Sequence, residues 1–403
     1  MTHVVVVGAG QAGASLVAKL RSEGFDGDIT LIGEEPVPPY QRPPLSKAYL
    51  LGEMEQDRLY LRPAAWYADN RITLRTEVTV TAVDAAGRGV LLSDGSRLAY
   101  DALALTTGSR PRRLPAAMGG DLEGVLTMRA LADADRMAPE LVEGRRVLII
   151  GGGYIGLEAA AVCAKKGLHV TLIEMAPRIL QRVAAKETSD YFRALHAGHG
   201  VDIRESTGLD RLIGTGRVTG ARLADGTELP VDFVLVGVGI IPNAELAQAA
   251  GIETDIGIVT DRQCRTSDPH VWAAGDCATL EWEGGRIRLE SVGNAIDQAE
   301  CAALNIMERG VDYVPQPWFW SDQYDCKLQI AGLNMGHDAV HVRQGDSDAR
   351  SHWYYRAGRL IAVDAMNDSR AYMIGKRLIE MGKSPDPAVV TDAGVDLKPL
   401  LKA

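Results

Sequence analysis

The sequence has only five cysteines in 403 residues, and no two of them form a C-x-x-C or similar redox pair. They are Cys163, Cys264, Cys277, Cys301 and Cys326. This scattered set argues against a disulfide framework and against a dithiol active site, and it predicts free thiols. Basic residues are also in deficit, since 43 Lys and Arg against 53 Asp and Glu give a formal net charge of −10. That balance disfavours non-specific binding to nucleic acid or to a membrane surface.

The chain also lacks a recognisable export signal and an unbroken apolar segment. Met1 is followed at once by T-H-V-V-V-V, with no basic region and no cleavage site, so we expect a cytoplasmic protein. The apolar stretch 147–164 is interrupted by three consecutive glycines and by Glu158, which argues against a membrane span. The length predicts two or three domains.

A glycine fingerprint stands in the middle of that apolar stretch. Residues 147–150 predict a buried strand, and Gly151, Gly153 and Gly156 follow with the spacing G-x-G-x-x-G. In this pattern one glycine makes a tight turn, one lets the backbone approach a pyrophosphate, and one allows close helix–strand packing. The predicted helix 154–166 would direct its N-terminal N–H groups at an anion. A second strand, 169–173, ends at Glu174, whose carboxylate would accept hydrogen bonds from ribose hydroxyls and repel a 2′-phosphate. We therefore expect NAD rather than NADP.

The same arrangement occurs at the N-terminus. A strand at 4–7 leads to Gly8, Gly10 and Gly13, and a helix at 12–20 and a second strand at 29–32 follow. Glu34 is then the candidate for the ribose, with Glu35 as a competitor. Two such units in one chain predict two dinucleotides, and a bound flavin with a diffusible nicotinamide is the simplest pair for a hydride relay.

The duplication continues beyond the fingerprints. Asp94-Gly95 and Asp225-Gly226 each predict a hairpin turn. The strand 102–106 ends in Thr107 and Gly108, and the strand 231–236 ends in the G-V-G of residues 237–239. The proline- and arginine-rich stretch 109–115 predicts the first domain boundary. Asp276 follows a short strand and suits hydrogen bonding to a ribityl hydroxyl, although an N-cap or an Asx-turn would explain it too. A long helix is expected at 291–309.

A proline-rich loop at 36–47 follows the second strand of the first unit, where a ligand would lie. Lys47 would begin a short helix, 47–51, and is a candidate cation close to an isoalloxazine ring. The alternatives are a plain linker and a solvated lysine.

The segment from 317 to 324 is rich in aromatic residues, although the chain contains only 5% of them. Strand-like runs at 328–333, 339–342, 353–356 and 360–365 and a helix at 369–381 predict a separate α+β domain. Its Trp cluster is either an ordinary core or a lid on the flavin. His196 and His199 form an H-x-x-H, but without a third ligand a satisfied or solvated histidine is expected, not a metal site.

Taken in order, the segments GAGQAG, PYQRPPLSK, TTGSRP, GGGYIGLE, VGVGIIPN, TSDPHVWAAGDCA, ESVGNAIDQA and PWFWSDQYD resemble a known family. It is that of the NADH-dependent, FAD-containing ferredoxin reductases of bacterial oxygenase systems, the putidaredoxin reductase type. The resemblance covers essentially the whole chain. It implies an α/β, glutathione-reductase-like architecture with two dinucleotide-binding domains. The FAD domain would be 1–113 and 242–317, the NAD domain 114–241, and the C-terminal α+β domain 318–403.

The resemblance also implies roles for individual residues. The FAD contacts would be Gly8, Gly10, Ala12 and Gly13 at the pyrophosphate, Glu34 at the ribose, Val80 at the adenine, Asp276 at the ribityl chain, Val292 at the pyrimidine edge, and Thr107, Gly108, Arg129 and Trp320. The NAD contacts would be Gly153, Ile155, Gly156, Glu174, Arg182 and Gly239. Lys47 would lie near the flavin N5 and pair with Glu158, and these two residues are the catalytic candidates. Two positions depart from the family, namely Gly293 in place of proline, which would loosen the turn before the flavin-edge helix, and Glu34 in place of Asp.

The implied reaction passes a hydride from NADH to FAD and then single electrons to a [2Fe-2S] ferredoxin, which feeds a cytochrome P450 or a Rieske-type oxygenase. An acidic ferredoxin would need a basic patch, for which the candidates are Arg62, Arg110, Arg112, Arg113 and Lys327. A flavin disulfide reductase would need a cysteine in the loop 40–46, which has none. A rubredoxin reductase, an NADH oxidase and a non-enzymatic redox-sensing flavoprotein remain as alternatives.

Overall fold

The computed structural model describes residues 2–402, which divide into two compact units built from segments that are distant in sequence. The first unit contains the chain up to residue 41, then 55–110 and 240–317. The second contains 42–54, 111–239 and the chain from 318 onward. The three-domain division expected from the sequence stays a prediction. No helix within residues 2–402 combines the length and apolar character needed to cross a membrane.

A five-stranded parallel sheet forms the centre of the first unit. The strand His3–Val7 lies in its middle, and its side chains alternate between two apolar cores, with Val4 and Val6 in one core and Val5 and Val7 in the other. A strand buried on both faces explains the unbroken run of valines. The strand order is Val271–Ala273, Ala102–Leu105, His3–Val7, Asp28–Ile32 and Ile72–Arg75.

Smaller elements complete the first unit. The hairpin predicted at Asp94-Gly95 is confirmed, because Gly89–Leu92 and Arg97–Ala99 pair antiparallel around Gly95 at φ +82°. The helices are Gln11–Ser22, Ala64–Asp69, Glu245–Ala249 and Val292–Ile306, with a 3-10 turn at Gln56–Arg58. The other strands are Val80–Asp84, Ser109–Pro111, Ile240–Pro242, Ile258–Val259, Ala278–Trp282 and Gly285–Ile287.

The second unit repeats the parallel sheet. The strand Arg146–Ile150 lies in the centre, and the hairpin predicted at Asp225-Gly226 is confirmed between Arg217–Leu223 and Glu228–Pro230. The sheet order is Asp202–Arg204, His169–Ile173, Arg146–Ile150, Phe233–Val236 and Val125–Leu126. The strand Leu209–Thr215 joins the hairpin. The helices are Leu131–Met137, Tyr154–Lys165 and Lys186–Gly198, with 3-10 turns at Pro43–Ser46, Ala116–Met118 and Ala138–Glu140.

The chain from Trp318 adds an antiparallel five-stranded sheet to the second unit, which confirms the α+β character predicted for this part. Its core holds Trp353, Val363 and Leu378. The strand order is Trp318–Gln323, Cys326–Gly332, Arg359–Met366, Arg350–Arg356 and Ala339–Gln344. The helices are Ser369–Glu380 and Pro387–Thr391, with a 3-10 turn at Lys398–Leu401.

Candidate functional site

The first glycine loop connects the strand His3–Val7 to the helix Gln11–Ser22. Gly8 has φ +110°, and a Cβ there would lie 2.2 Å from the Thr106 carbonyl oxygen. A Cβ on Gly13 would lie 2.1 Å from the Gly8 oxygen. A Cβ on Gly10 would have no heavy atom within 4 Å. Packing therefore requires the outer two glycines, whereas the middle one faces open space that a pyrophosphate could fill.

The helix that follows this loop begins without a side-chain cap. Within residues 2–402 no side chain accepts a hydrogen bond from its first N–H groups, and no acid stands in its first turn. Gly10 is the N-cap, and Ala12 lies next to the bend at Gly275, where an added Cβ would come within 3.1 Å of the Ala12 Cβ. Uncapped N–H groups and the positive end of the helix dipole suit a phosphate group.

Two acids follow the second strand of this unit, and the structure distinguishes between them. Glu35 accepts a hydrogen bond from the Tyr40 hydroxyl at 2.6 Å. Glu34 is exposed, and among the described residues it has no hydrogen-bond partner. This difference favours Glu34 over its neighbour as the acid available to a ribose, a role that stays a prediction.

Local hydrogen bonds hold two of the other predicted FAD positions of the first unit, Asp276 and Thr107, in place. The Asp276 carboxylate accepts a hydrogen bond from the Ser109 hydroxyl at 2.8 Å, and the Thr107 hydroxyl donates to the Asn243 carbonyl at 2.6 Å. Gly108 has φ +64°. Val80 is the buried first residue of the strand Val80–Asp84.

Val292 is the first residue of the helix Val292–Ile306, and the Ser291 hydroxyl caps this helix by accepting from the Asn294 N–H at 3.1 Å. Gly293 lies inside the first helical turn, and its expected effect on the turn before the helix stays a prediction. The helix itself begins one residue after the predicted start and ends before the predicted 309.

The glycine loop of the second unit has the same geometry. Gly151 has φ +109°, and a Cβ there would lie 2.4 Å from the Gly237 oxygen. A Cβ on Gly156 would lie 2.1 Å from the Gly151 oxygen, whereas one on Gly153 would have no heavy atom within 4 Å. The helix Tyr154–Lys165 again begins without a side-chain cap among the described residues. Both loops therefore fit a dinucleotide pyrophosphate.

Glu174 is fixed against this second loop. One carboxylate oxygen accepts from the Gly152 N–H and the other from the Ala176 N–H, both at 2.7 Å. The sequence pattern does not predict these two backbone donors. They hold a negative charge beside the fingerprint, and Met175 next to it is 81% exposed.

The remaining predicted NAD positions lie near the carboxyl ends of these strands. Gly239 has φ +99°, and a Cβ there would lie 3.9 Å from Arg112 Nε and from Arg182 Nη1. The Arg112 N–H donates to the Gly239 oxygen at 2.9 Å. Ile155 is 42% exposed at the start of its helix. Arg112, proposed from the sequence for ferredoxin docking, thus lies beside predicted NAD contacts.

Lys47 and Glu158 form an ion pair inside the second unit, with 2.7 Å between Nζ and Oε2. Ser46 Oγ donates to the same oxygen at 2.8 Å, and Ser321 Oγ donates to Oε1 at 2.7 Å. Glu158 is 4% exposed. A buried carboxylate is tolerated only when it is paired and hydrogen-bonded, and both conditions are met here. The structure shows the pairing, while the role of these residues beside a flavin stays a prediction.

The helix predicted at 47–51 was wrong. The 3-10 turn is Pro43–Ser46, with two prolines in its first positions, and Lys47 is its C-cap. Proline has no N–H to donate and a fixed φ, so it suits the beginning of a turn, which is why the turn starts earlier than expected.

Two further predicted FAD contacts belong to the second unit. The Arg129 N–H donates to Asp133 at 3.0 Å, and the Arg129 carbonyl accepts from Arg42 at 2.7 Å. Trp320 is half-buried and stacks on Trp318 with 5.5 Å between ring centroids. Partial exposure of these rings argues against the ordinary-core alternative for the Trp cluster.

His196 is a satisfied buried histidine, as expected, with Nε2 2.8 Å from Gln323 Oε1. His199 lies 2.9 Å from the Leu195 carbonyl oxygen. Among residues 2–402 no group of three or more His, Cys, Asp or Glu side chains could hold a metal ion.

The candidate docking residues are exposed but not all free. The Arg110 guanidinium pairs with Glu245 at 2.6 Å, and Arg62 lies over the Trp66 ring at 5.6 Å. Arg113 and Lys327 are exposed. Their role in docking stays a prediction.

Comparison with known proteins gives two family matches. Residues 2–299 match the model described as pyridine nucleotide-disulphide oxidoreductase, and residues 318–401 match the reductase C-terminal model. The chain is 45% identical to a ferredoxin--NAD(P)(+) reductase of Sphingomonas sp, covering 98% of this chain and 97% of the relative. It is 42% identical to rhodocoxin reductase of Rhodococcus erythropolis, covering 98% and 93%. The reductase in a covalent putidaredoxin reductase–putidaredoxin complex superimposes with a TM-score of 0.96 at 40% identity, covering 100% and 98%.

Proposed function

The chain belongs to the pyridine nucleotide-disulphide oxidoreductase family, and we propose that it acts as an NADH-dependent, FAD-containing ferredoxin reductase. It takes a hydride from NADH and passes single electrons to a [2Fe-2S] ferredoxin that serves a cytochrome P450 or another oxygenase. One observation carries the proposal, namely two glycine loops of matching geometry in a chain similar from end to end to ferredoxin reductases.

The first unit holds FAD, which when bound supplies the conversion of a two-electron reductant into single electrons. The open backbone at Gly10 and the uncapped N–H groups of the helix Gln11–Ser22 bind the pyrophosphate. Glu34 accepts from the adenosine ribose, and Asp276, oriented by Ser109, accepts from a ribityl hydroxyl. These assignments rest on the open space at Gly10, the exposed Glu34, the half-buried Asp276 and the resemblance of the motifs.

The second unit binds NADH at Gly153 in the same way. Glu174 selects NADH over NADPH, because both of its oxygens are tied to backbone amides and the carboxylate cannot turn away from a 2′-phosphate. Two like charges held that close repel strongly where solvent is excluded. The resemblance of the motifs makes Arg182 and Gly239 further NADH contacts.

The resemblance of its motif makes Lys47 the residue that would supply a positive charge to a bound flavin, and Glu158 keeps that ammonium in place. A fixed cation favours the negative charge that hydride addition brings to a flavin ring. Water would weaken this effect, but the Lys47 side chain is only 17% exposed and Glu158 is buried.

The thiols of the chain take no part in the reaction. All five cysteines are free and buried, and burial raises the pKa of Cys163 to about 12 and that of Cys326 to about 11. A thiol that stays protonated is a poor nucleophile. Cys301 differs, because its hydrogen bond with Cys264 lowers its pKa, but the residue is only 6% exposed. Five free thiols also support a cytoplasmic location, where the compartment keeps thiols reduced.

The test starts from the purified yellow protein under anaerobic conditions. NADH should bleach the flavin absorbance much faster than NADPH, and cytochrome c should then be reduced only when a [2Fe-2S] ferredoxin is added. Protein alkylated with iodoacetamide while it retains its flavin should turn over at the same rate.

Three outcomes would overturn the proposal. Colourless protein would show that no flavin is bound. Faster electron transfer to rubredoxin than to any [2Fe-2S] ferredoxin would make the chain a rubredoxin reductase. Slow turnover with every acceptor would indicate a redox-sensing protein.

A further inference from the structure

A chain of hydrogen bonds leads from Glu158 into the interior of the second unit. Ser321 Oγ lies 2.7 Å from Glu158 Oε1, and Gln323 Nε2 lies 3.1 Å from Ser321 Oγ. Gln323 Oε1 lies 2.8 Å from His196 Nε2, and the Tyr324 hydroxyl lies 3.1 Å from His196 Nδ1. Ser321, Gln323 and His196 are all 0% exposed. None of these three residues belongs to the glycine loops.

The direction of each hydrogen bond follows from the chemistry of the partners. Glu158 is paired with the Lys47 ammonium, so its oxygens only accept, and the single hydroxyl proton of Ser321 goes to it. Ser321 must then accept from Gln323, which turns the amide NH2 toward Ser321 and the amide oxygen toward His196. An amide oxygen cannot donate, so His196 carries its proton on Nε2.

His196 is therefore a neutral imidazole that donates through Nε2 and accepts from Tyr324 through Nδ1. Burial lowers the pKa of His196 to about 4, with a smaller contribution from His199, which is consistent with a neutral ring. Every donor in the chain points toward Glu158, and hydrogen bonds aligned in this way polarise one another. This series of hydrogen bonds orients Glu158 but does not conduct protons, because the Gln323 amide does not pass a proton from one side to the other.

We propose that His196 and Gln323 are positioning residues of the redox centre, which hold Glu158 through Ser321 in one orientation and so fix the Lys47 ammonium. This inference rests on the proposed function only where it concerns turnover. A purely structural histidine would change the stability of the protein when replaced, but it would leave the reactivity of Lys47 unchanged in the folded molecule.

The first test measures how well Lys47 is protected. The FAD-containing protein is treated briefly with acetic anhydride at neutral pH, and mass spectrometry compares acylation of Lys47 with that of Lys165, an exposed lysine paired with Glu53. His196→Leu removes the hydrogen bond to the Gln323 amide and so releases, through Ser321, the bond that ends on the charged Glu158, which should raise the Lys47 to Lys165 ratio about tenfold.

Two variants of the same segment make the comparison specific. His196→Gln retains a side-chain N–H in reach of Gln323 and should restore the wild-type ratio. His199→Leu is the matched control, because His199 stacks on the same Tyr324 ring at 3.6 Å but is exposed and bonds to Leu195. It should leave the ratio unchanged.

A second variant guards against the failure of His196→Leu to fold. Ser321→Ala removes the last donor with a small change in volume, and it should raise the ratio about tenfold as well. The double variant should show no further increase in the Lys47 to Lys165 ratio, since both substitutions interrupt the same series of hydrogen bonds. In both single variants kcat with NADH should fall by a similar factor, while KM for NADH stays unchanged.

An unchanged ratio in Ser321→Ala, or effects that multiply in the double variant, would overturn the positioning role. A wild-type protein without NADH turnover would refute the proposed function instead, and the acylation ratio would still decide whether the chain of hydrogen bonds fixes Lys47.

Discussion

The middle glycine of the second fingerprint can be replaced without disturbing the protein around it. A Cβ on Gly153 would have no heavy atom within 4 Å, and its φ of −82° and ψ of 179° are open to alanine. Gly153→Ala should therefore fold with a free energy of unfolding within about 0.5 kcal/mol of the wild type. Its methyl group would occupy the open space that we propose for the NADH pyrophosphate.

The size of the effect follows from the hydrogen bonds that are lost. Pushing a phosphate away from one backbone N–H removes a hydrogen bond to a charged group, which contributes about 1.5–3 kcal/mol. KM for NADH should rise roughly 10- to 100-fold, since 1.4 kcal/mol corresponds to a factor of ten. Steady-state titration with NADH and ferricyanide as the acceptor measures it, and the flavin content should not change.

Gly156→Ala is the comparison variant. Its Cβ would lie 2.1 Å from the Gly151 oxygen, a backbone atom that cannot move aside freely. Overpacking of this kind should lower the free energy of unfolding by about 1–3 kcal/mol. If Gly153→Ala folded with full flavin content and bound NADH like the wild type, the assignment of this loop to the pyrophosphate would be refuted.

Other perturbations address charge. Glu174→Gln should reduce the preference for NADH over NADPH by about tenfold, measured as the ratio of the two kcat/KM values. An unchanged ratio would show that Glu174 does not select between the two nucleotides. If the basic residues proposed from the sequence dock an acidic ferredoxin, ferredoxin reduction should slow as ionic strength rises, because salt screens their charge, and a rate independent of salt would refute that docking role. Burial lowers the pKa of His196 to about 4 and that of His352 to about 3. Below pH 6.5 the unfolded chain therefore binds protons that the native chain does not, so the free energy of unfolding should decrease as the pH is lowered from 6.5 to about 4. Asp364 opposes this trend by one proton, because burial raises its pKa to about 6. The free energy of unfolding, measured by urea denaturation at each pH, should therefore change with a net slope of about one proton, and a free energy that did not change with pH would contradict this prediction.

The two glycine loops were predictable because all of their signals are local. A strand, three glycines, a helix and a terminal acid follow one another within about thirty residues, and each has a short-range physical cause. The parallel sheets built on His3–Val7 and Arg146–Ile150 confirm that the pattern was correctly interpreted.

The surroundings of Glu158 were not predictable in the same way. Ser46 and Ser321 lie 112 and 163 residues from Glu158 in sequence, and Gln323 lies 127 residues from His196. No periodicity links such positions, because only the tertiary fold brings them together. The resemblance to a family suggested Lys47 as the partner of Glu158, but it did not suggest the two serines.

The order of synthesis constrains how the first unit forms. Its sheet needs the strand Val271–Ala273 beside Ala102–Leu105, and the helix Gln11–Ser22 packs on the helix Val292–Ile306. The parallel sheet of the second unit uses only strands between 125 and 204 and the strand Phe233–Val236, so its pieces leave the ribosome earlier. The strand Ala102–Leu105 therefore keeps one unpaired edge while the inserted segment forms its own sheet. Nascent chains released before residue 273 would expose the unpaired edge of the strand Ala102–Leu105.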